Sequence, residues 1–230
     1  MASERFALVA GSSGGLGYEV CQLLLDQGLS VFGVSRSVTD IEDPNFIQIQ
    51  ADLRDEESIE IIQQVLEEDV FGLEVVVNAS GFFDAASVDE MESETLIDHL
   101  QTNVVGAFHL LRATQDYLLE GESHIVHISS MAALKGLPHF SAYCASKAAL
   151  EKLIESTRQE WKESGVKFST LVCSEVDTAL WDDLTDQSLK PDSDNMLEVS
   201  DFIYVLSFVL NAPRSIEFSK VEFSHKNSGH

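Results

Sequence analysis

Arg5 to Ala10, R-F-A-L-V-A, runs without a break into Gly11-Ser12-Ser13-Gly14-Gly15-Leu16-Gly17, and a helical pattern follows from Tyr18 to Gln27, ending at Gly28. No other stretch narrows the fold so far. A second apolar run, Leu29 to Ser35, completes a strand–helix–strand unit. Glycines in such a turn let backbone N–H groups come close to a phosphate, and the helix N-terminus adds favourable partial charge. Gly11, Gly15 and Gly17 have the spacing G-x-x-x-G-x-G, a variant of the G-x-G-x-x-G pattern of dinucleotide-binding turns.

The alternation continues along the chain. Phe46 to Ala51 reads as a third strand, closed by Asp52-Leu53, and Asp55 as the cap of a helix from about Glu56 to Glu67. Leu73 to Asn78, L-E-V-V-V-N, is a β-branched run suited to a central parallel strand, and it ends at Asn78-Ala79-Ser80-Gly81. Val88 to Leu118 holds one or two helices with a break near Thr102-Asn103-Val104, where the Asn103 amide has no capping role. His124 to Ser130 and Val166 to Val172 are further strands, Val199 to Leu210 a helix, and Ile216 to Phe223 a last strand. Strand–helix alternation of this kind predicts an α/β doubly wound parallel sheet with helices on both faces. No linker or repeat interrupts it, so residues 1–230 are expected to form a single domain. Residues 179–198 are polar and acidic, with Trp181 and Leu184 as isolated apolar anchors. They are a candidate lid over the strand ends, or a surface loop.

The chemistry-bearing stretch is Ser130 to Lys147, S-M-A-A-L-K-G-L-P-H-F-S-A-Y-C-A-S-K. Tyr143 and Lys147 are four residues apart, which on a helix places them on one face, one turn apart. Ser141 is a candidate N-cap or first-turn residue of that helix. Ser130 ends a strand, where α/β sheets place their ligands. A free phenol titrates near pH 10, and a neighbouring ammonium favours the phenolate, easing proton exchange. With a serine hydroxyl to bond the substrate oxygen, the group suits protonation of a carbonyl as hydride reaches its carbon. Leu134, Leu137, His139, Phe140, Leu180 and Trp181 are candidate walls of a partly apolar pocket.

Charge excludes some partners. Fourteen Lys and Arg against 39 Asp and Glu give a net charge of −25, which disfavours nucleic acid and anionic membrane. No apolar run reaches the roughly 18–20 residues needed to span a bilayer, and the N-terminus shows no secretory signal pattern. Cys21, Cys144 and Cys173 are scattered, as suits reduced thiols and a cytoplasmic location. No Cys/His spacing suggests a metal site, so none is expected.

Gly11-x-x-x-Gly15-x-Gly17, Asp52-Leu53, Asn78-x-x-Gly81, Asn103, Ser130 and Tyr143-x-x-x-Lys147, in this order, resemble the short-chain dehydrogenase/reductase family. The resemblance runs from Arg5 to about Thr178 and more loosely to Phe223. It implies a three-layer Rossmann-like fold with a seven-stranded sheet in the order 3-2-1-4-5-6-7. It implies hydride transfer between a nicotinamide cofactor and a carbonyl or alcohol, in a homodimer or homotetramer assembled through the long helices. By the resemblance Tyr143 is the general acid, Lys147 lowers the phenol pKa and holds the nicotinamide ribose, Ser130 polarises the carbonyl, and Asn103 supports a relay water. Cofactor contacts fall to Gly11, Ser13, Gly15, Leu16, Gly17 and Gly81, and to Tyr143 and Lys147 themselves. Asp52 and Leu53 are expected at the adenine, Asn78 at the adenosine ribose, and Val176 and Thr178 at the carboxamide or phosphate.

Arg36 follows the second strand where an adenosine ribose should lie, and predicts NADP(H), with Ser35 and Ser37 as further donors. An NAD(H) enzyme would result if Asp40 took the ribose hydroxyl instead. The expected activity is a ketone or aldehyde reductase, with 3-oxoacyl thioesters as one substrate class. The alternatives are an NAD-dependent alcohol dehydrogenase and a non-catalytic nucleotide-binding sensor or scaffold. Two positions depart from the family: Ala79 stands where a second asparagine is usual, and Cys173-Ser174 where Pro-Gly is usual.

Overall fold

The computed structural model describes residues 5–69, 71–182 and 184–228. Its strands are β1 (Phe6–Ala10), β2 (Ser30–Ser35), β3 (Phe46–Gln50), β4 (Leu73–Asn78), β5 (His124–Ser130), β6 (Lys167–Cys173) and β7 (Lys220–Phe223). They form one parallel sheet in the order β3-β2-β1-β4-β5-β6-β7. The chain leaves β1 in one direction to β2 and β3, and returns on its other side to β4. That reversal opens a crevice at the C-terminal ends of β1 and β4.

Alternation along the strands sorts side chains to two cores. Ala7 and Val9 of β1 join Val75 and Val77 of β4 on the face covered by α1 (Gly15–Asp26), whose Val20, Cys21 and Leu24 meet them. A later helix, Val199–Leu210, adds Phe202, Leu206 and Val209 to that face. Phe6, Leu8 and Ala10 point the other way. There Ile62 and Leu66 of α2 (Glu57–Asp69) close the layer. So do Leu110 of the helix Gly106–Thr114, and Leu150 and Ile154 of the helix Ser141–Glu160. In chain order the remaining helices are α3 (Ser93–Leu100), α4 (Gly106–Thr114), α5 (Ser141–Glu160) and α6 (Val199–Leu210). Among the described residues no helix is long and apolar enough to cross a membrane.

The glycine turn explains its own composition. Gly11 has φ +84°, and a Cβ there would lie 2.8 Å from the Ser80 nitrogen. A Cβ on Gly17 would collide with the Gly11 carbonyl. Close approach of α1 to the turn, and of the turn to the end of β4, therefore requires glycine at both positions. The helix starts at Gly15, three residues before the apolar periodicity begins.

Ser141 opens α5 as a first-turn residue, one of its two candidate roles, with Phe140 at the N-cap. Two local expectations shift. Asp55 serves α2 through its main-chain carbonyl, which receives the Ser58 N–H at 3.1 Å and the Ser58 hydroxyl at 2.6 Å. The last strand is only Lys220–Phe223, because Ile216 is held in a turn to the Pro213 carbonyl and pairing with β6 starts at Thr170–Lys220. Ala79 leaves the central sheet joined, since its N–H donates to the Ala10 carbonyl at 3.0 Å.

Candidate active site

The crevice is a cavity of about 410 Å³ along the C-terminal strand ends. Gly11, Ser13, Gly15, Leu16, Arg36, Asp52, Leu53, Gly81, Ser130, Tyr143, Lys147, Val176 and Thr178 all line it. These positions come from seven separate stretches of sequence. Gly17, Asn78 and Asn103 are buried and are not among the residues that line it.

The turn at one wall is suited to a diphosphate. α1 has no side-chain cap at Gly14 and no acidic residue in its first turn, so its leading N–H groups and positive dipole end face the cavity unneutralised. Ser12 is buried beneath, bonded to Ser35 at 3.2 Å, and ties the turn to the end of β2.

At the far end, Arg36 and a second guanidinium, Arg54, line the cavity. Arg54 grips Asp52, with Nη2 to Oδ2 at 2.6 Å and Nε to Oδ1 at 3.1 Å. That pairing, with Arg36 nearby, holds the Asp52 carboxyl below the usual carboxylate range. Ser35 is not a spare donor: its hydroxyl donates to the Ser37 carbonyl at 2.7 Å and receives Gln48 Nε2 at 3.1 Å. Asp40 does not line the cavity.

Asn78 is buried, and its side chain bonds one residue that lines the crevice, Ser80, and one that does not, His127. Its Oδ1 receives the Ser80 hydroxyl at 2.6 Å, and its Nδ2 lies 3.4 Å from His127 Nδ1. Gly17 is covered by the turn itself. Asn103 sits on a π-helical turn, Gln101–Val105, between α3 and α4. The wider turn swings the amide inward, 1% exposed, where it bonds both polar groups of the Phe82 main chain and donates to Ser146 Oγ at 2.9 Å. The break anticipated near residue 103 is thus a change of helix type, not a loop.

Lys147 is 4% exposed, and its Nζ donates to the Ile128 carbonyl at 3.1 Å. An ammonium has three N–H groups, so two remain for a bound ligand. Gly81 stands over this group, since a Cβ there would approach Asn103 Oδ1 at 3.6 Å and Lys147 Nζ at 3.8 Å. Burial pushes the Lys147 ammonium down to about 8.

The Tyr143 phenol does not show the lowering that the ammonium was expected to cause. Burial pushes it above its ordinary value, with the Cys173 thiol adding to the rise and a hydrogen bond with Ser130 opposing it. Lys147 Nζ lies 5.7 Å from the Tyr143 ring centroid and is itself poorly solvated, so its charge does not offset the burial. Ser130 Oγ also receives the Ala132 N–H at 3.2 Å, which fixes the hydroxyl at the head of the loop after β5.

The Cys173-Ser174 departure costs no backbone strain. Among the described residues the only non-glycine with positive φ is His139. Ser174 joins the chain beyond β7, its Oγ receiving the His225 N–H at 3.2 Å. Burial pushes the Cys173 thiol up to about 12, so it stays protonated.

Of the anticipated apolar wall, Leu137, Phe140, Leu180 and Trp181 line the cavity; Leu134 and His139 do not. Leu134 turns outward, and His139 bends the chain before α5. Phe82, Phe83, Arg54 and Glu175 line it as well and were missed. Arg54 had a signal, as a scarce cation two residues after Asp52. The Phe82-Phe83 pair directly follows Gly81 and had one too. The described residues of 179–198 form short 3₁₀ turns, with Trp181 and Leu184 buried in one cluster with Phe83.

Comparison with known proteins accords with this geometry. A family model described as short chain dehydrogenase matches residues 5–189. The chain is 28% identical over 214 residues to the 3-amino-tetrahydro-pyrrolizinone reductase of Xenorhabdus hominickii, covering 90% of this chain and 73% of that one. It is 26% identical over 185 residues to an uncharacterized oxidoreductase of Staphylococcus epidermidis, covering 77% and 80%. Among solved structures, an alcohol dehydrogenase from the archaeon Thermococcus sibiricus, complexed with 5-hydroxy-NADP, superposes with TM-score 0.85 at 21% identity, covering 98% of each chain.

Proposed function

The chain belongs to the short-chain dehydrogenase family of oxidoreductases, and from that premise we propose that it is an NADP(H)-dependent reductase of ketones or aldehydes. The observation that carries the reading is convergence: Ser130, Tyr143 and Lys147 meet at one end of the cavity whose other walls are the glycine turn and Arg36. A non-catalytic sensor needs the turn but has no use for a phenol, a hydroxyl and a buried ammonium at one place.

The residues present fit a nicotinamide dinucleotide. The uncapped start of α1 would hold the diphosphate, and the two open N–H groups of Lys147 would hold ribose hydroxyls. A reduced nicotinamide held there would supply the hydride that the carbonyl carbon gains. Tyr143 gives its proton to the carbonyl oxygen, completing the alcohol. Because burial keeps the phenol protonated well above neutral pH, it is in the form that reduction requires. Ser130 donates to the same oxygen and orients the substrate. The Asn103 side chain is spent on Phe82 and Ser146, so its part is to set the floor under Gly81 and Lys147.

Arg36 supports the choice of NADP(H). Arg54 supports it indirectly, by neutralising Asp52, which would otherwise repel a 2′-phosphate. Asp40, the residue an NAD(H) enzyme would use, lies outside the cavity lining. The 179–198 segment is the lid, and the working location is the cytoplasm.

The test is a panel of ketones and aldehydes with NADPH and with NADH, followed at the nicotinamide absorbance. Turnover preferring NADPH is expected. Cofactor binding without oxidation of either dinucleotide across the panel would make the protein a sensor.

A further inference from the structure

The lid is pinned at two places. Its neck is closed where the Asp177 N–H donates to the Leu197 carbonyl and the Leu197 N–H to the Glu175 carbonyl, each at 2.9 Å. Between these points the described residues make short 3₁₀ turns, with hydrogen bonds that are largely their own, such as Gln187 Nε2 to the Leu184 carbonyl and Lys190 Nζ to Asp182. The second place is Asp84, in the stretch after β4. Its Oδ1 receives the Thr185 N–H at 3.1 Å, and its Oδ2 receives the Thr185 hydroxyl at 2.9 Å. Among the described residues these are the hydrogen bonds that join the lid to that stretch, between positions 101 apart in sequence.

The two sides of this contact are unlike. Asp84 is fixed: its Oδ1 also receives the Ala85 N–H at 2.8 Å, and its own N–H donates to His99 Nε2 at 3.1 Å. Because Nε2 accepts that bond, the neutral His99 ring carries its proton on Nδ1, which donates to the Thr95 carbonyl at 2.7 Å. His99 is fully buried on α3, so Asp84 is tied to a helix. Asn103 clamps the main chain at nearby Phe82. Thr185, by contrast, is exposed, and its bonds can be exchanged for bonds to water at small net cost. Asp84 is thus a fixed catch, and Thr185 is the part that can let go. What the catch holds bears on the site. Leu180 and Trp181 of the lid line the cavity. The Trp181 ring meets Phe83 edge-on at 5.0 Å, and Phe83 meets the Tyr143 ring edge-on at 4.7 Å. The placing of the lid therefore reaches the phenol through one intervening ring.

We propose that Asp84 is a positioning residue for the reduction: by holding Thr185 it keeps the lid closed over the carbonyl, and release of Thr185 opens the cavity to substrate and product. This rests on the reductase reading above. Asp84 touches no reacting atom and does not line the cavity; it acts through Thr185 and the Trp181–Phe83–Tyr143 contacts. Closure of such a segment completes a catalytic site and keeps water from it. Thr178, the lid-side residue beside the glycine turn, lies next to the separately pinned neck. Cofactor binding is therefore insulated from the latch.

Hydrogen exchange read by mass spectrometry, with steady-state kinetics on the same full-length protein, tests this. In Asp84→Ala, exchange over residues 179–198 should speed up several-fold while β4 and α3 stay protected. KM for a reducible ketone should rise about three- to tenfold, with kcat changed less and KM for NADPH unchanged. Thr185→Val should do the same more weakly, because the N–H bond survives, and Thr185→Ser should behave as the wild type. The double variant should be no worse than Asp84→Ala alone, since Asp84 acts through Thr185. Unchanged exchange in both Asp84→Ala and Thr185→Val would overturn the latch. Faster exchange with an unchanged ketone KM would make Asp84 a structural tie and overturn its positioning role. If the wild type reduces no ketone, the reductase reading fails and the positioning role with it, while the exchange data still show whether Asp84 holds the lid.

Discussion

The Asn103 amide holds both polar groups of the Phe82 main chain: Oδ1 receives the N–H at 2.8 Å, and Nδ2 donates to the carbonyl at 3.0 Å. The clamp joins a π-turn in one layer to the strand end that carries Gly81 and Phe83, and so sets the floor and one wall of the site together. Asn103→Leu removes it and leaves buried main-chain groups without partners. A loss of about 2–3 kcal/mol in urea unfolding is expected, with a larger fractional loss of kcat/KM than stability alone explains. A variant of normal stability and normal kcat/KM would show the clamp to be dispensable.

Tyr143 and Lys147 separate by their effects. Tyr143→Phe removes the transferable proton and nothing that holds cofactor, so turnover should fall by roughly two to four orders of magnitude with NADPH affinity nearly unchanged. Lys147→Ala should weaken both. Because burial brings Lys147 down to about 8, its positive charge is lost as the pH rises through that value. The kcat/KM for NADPH should therefore decline above about pH 8 in the wild type. Near-normal kcat in Tyr143→Phe would show that the proton comes from elsewhere.

Cofactor choice should respond to both arginines. A charge-assisted, bidentate bond from Arg36 to a 2′-phosphate is worth roughly 1.5–3 kcal/mol, so the wild type should prefer NADPH about 10- to 100-fold. Arg36→Ala should raise KM for NADPH and leave KM for NADH alone. Arg54→Ala should do the same more weakly, by unmasking Asp52. Preference for NADH in the wild type would reverse the assignment, and an unchanged ratio in Arg36→Ala would remove that residue from it.

Acid should destabilise the fold through two buried histidines. Burial pushes His127 down to about 3 and His124 to about 4, against about 6.5 in the unfolded chain. Between pH 6.5 and about 4 the unfolded chain binds more protons at these sites than the folded one. Stability therefore rises with pH in that window and is lost on acidification, by at most about 1.4 kcal/mol per pH unit for each site. His127→Asn should lose less Tm than the wild type between pH 7 and pH 5. Equal losses would show that His127 titrates alike in both states.

The parallel sheet and the grouping of Ser130, Tyr143 and Lys147 could be read from the chain because their signals are local. A β-branched run, a glycine turn between strand and helix, and a four-residue spacing on one helix face each lie within about twenty residues of sequence. Periodicity carries such features directly. The last strand was read too long because pairing with β6, not apolar content, decides where it starts.

What only the tertiary structure decided is what each polar and aromatic group meets. Asn103 had no visible reason in its own helix; its partners are Phe82 and Ser146, far away in the chain. Asn78 met His127, since neighbouring parallel strands put those two side chains on one face. Asp52 met Arg54, and Phe83 gathered Phe140, Tyr143 and Trp181 from three other stretches. Sequence alone therefore determined the fold class and which stretches line the cavity. Packing decided their neighbours, and with them the phenol's raised pKa, because desolvation and charge depend on distance in space and not along the chain.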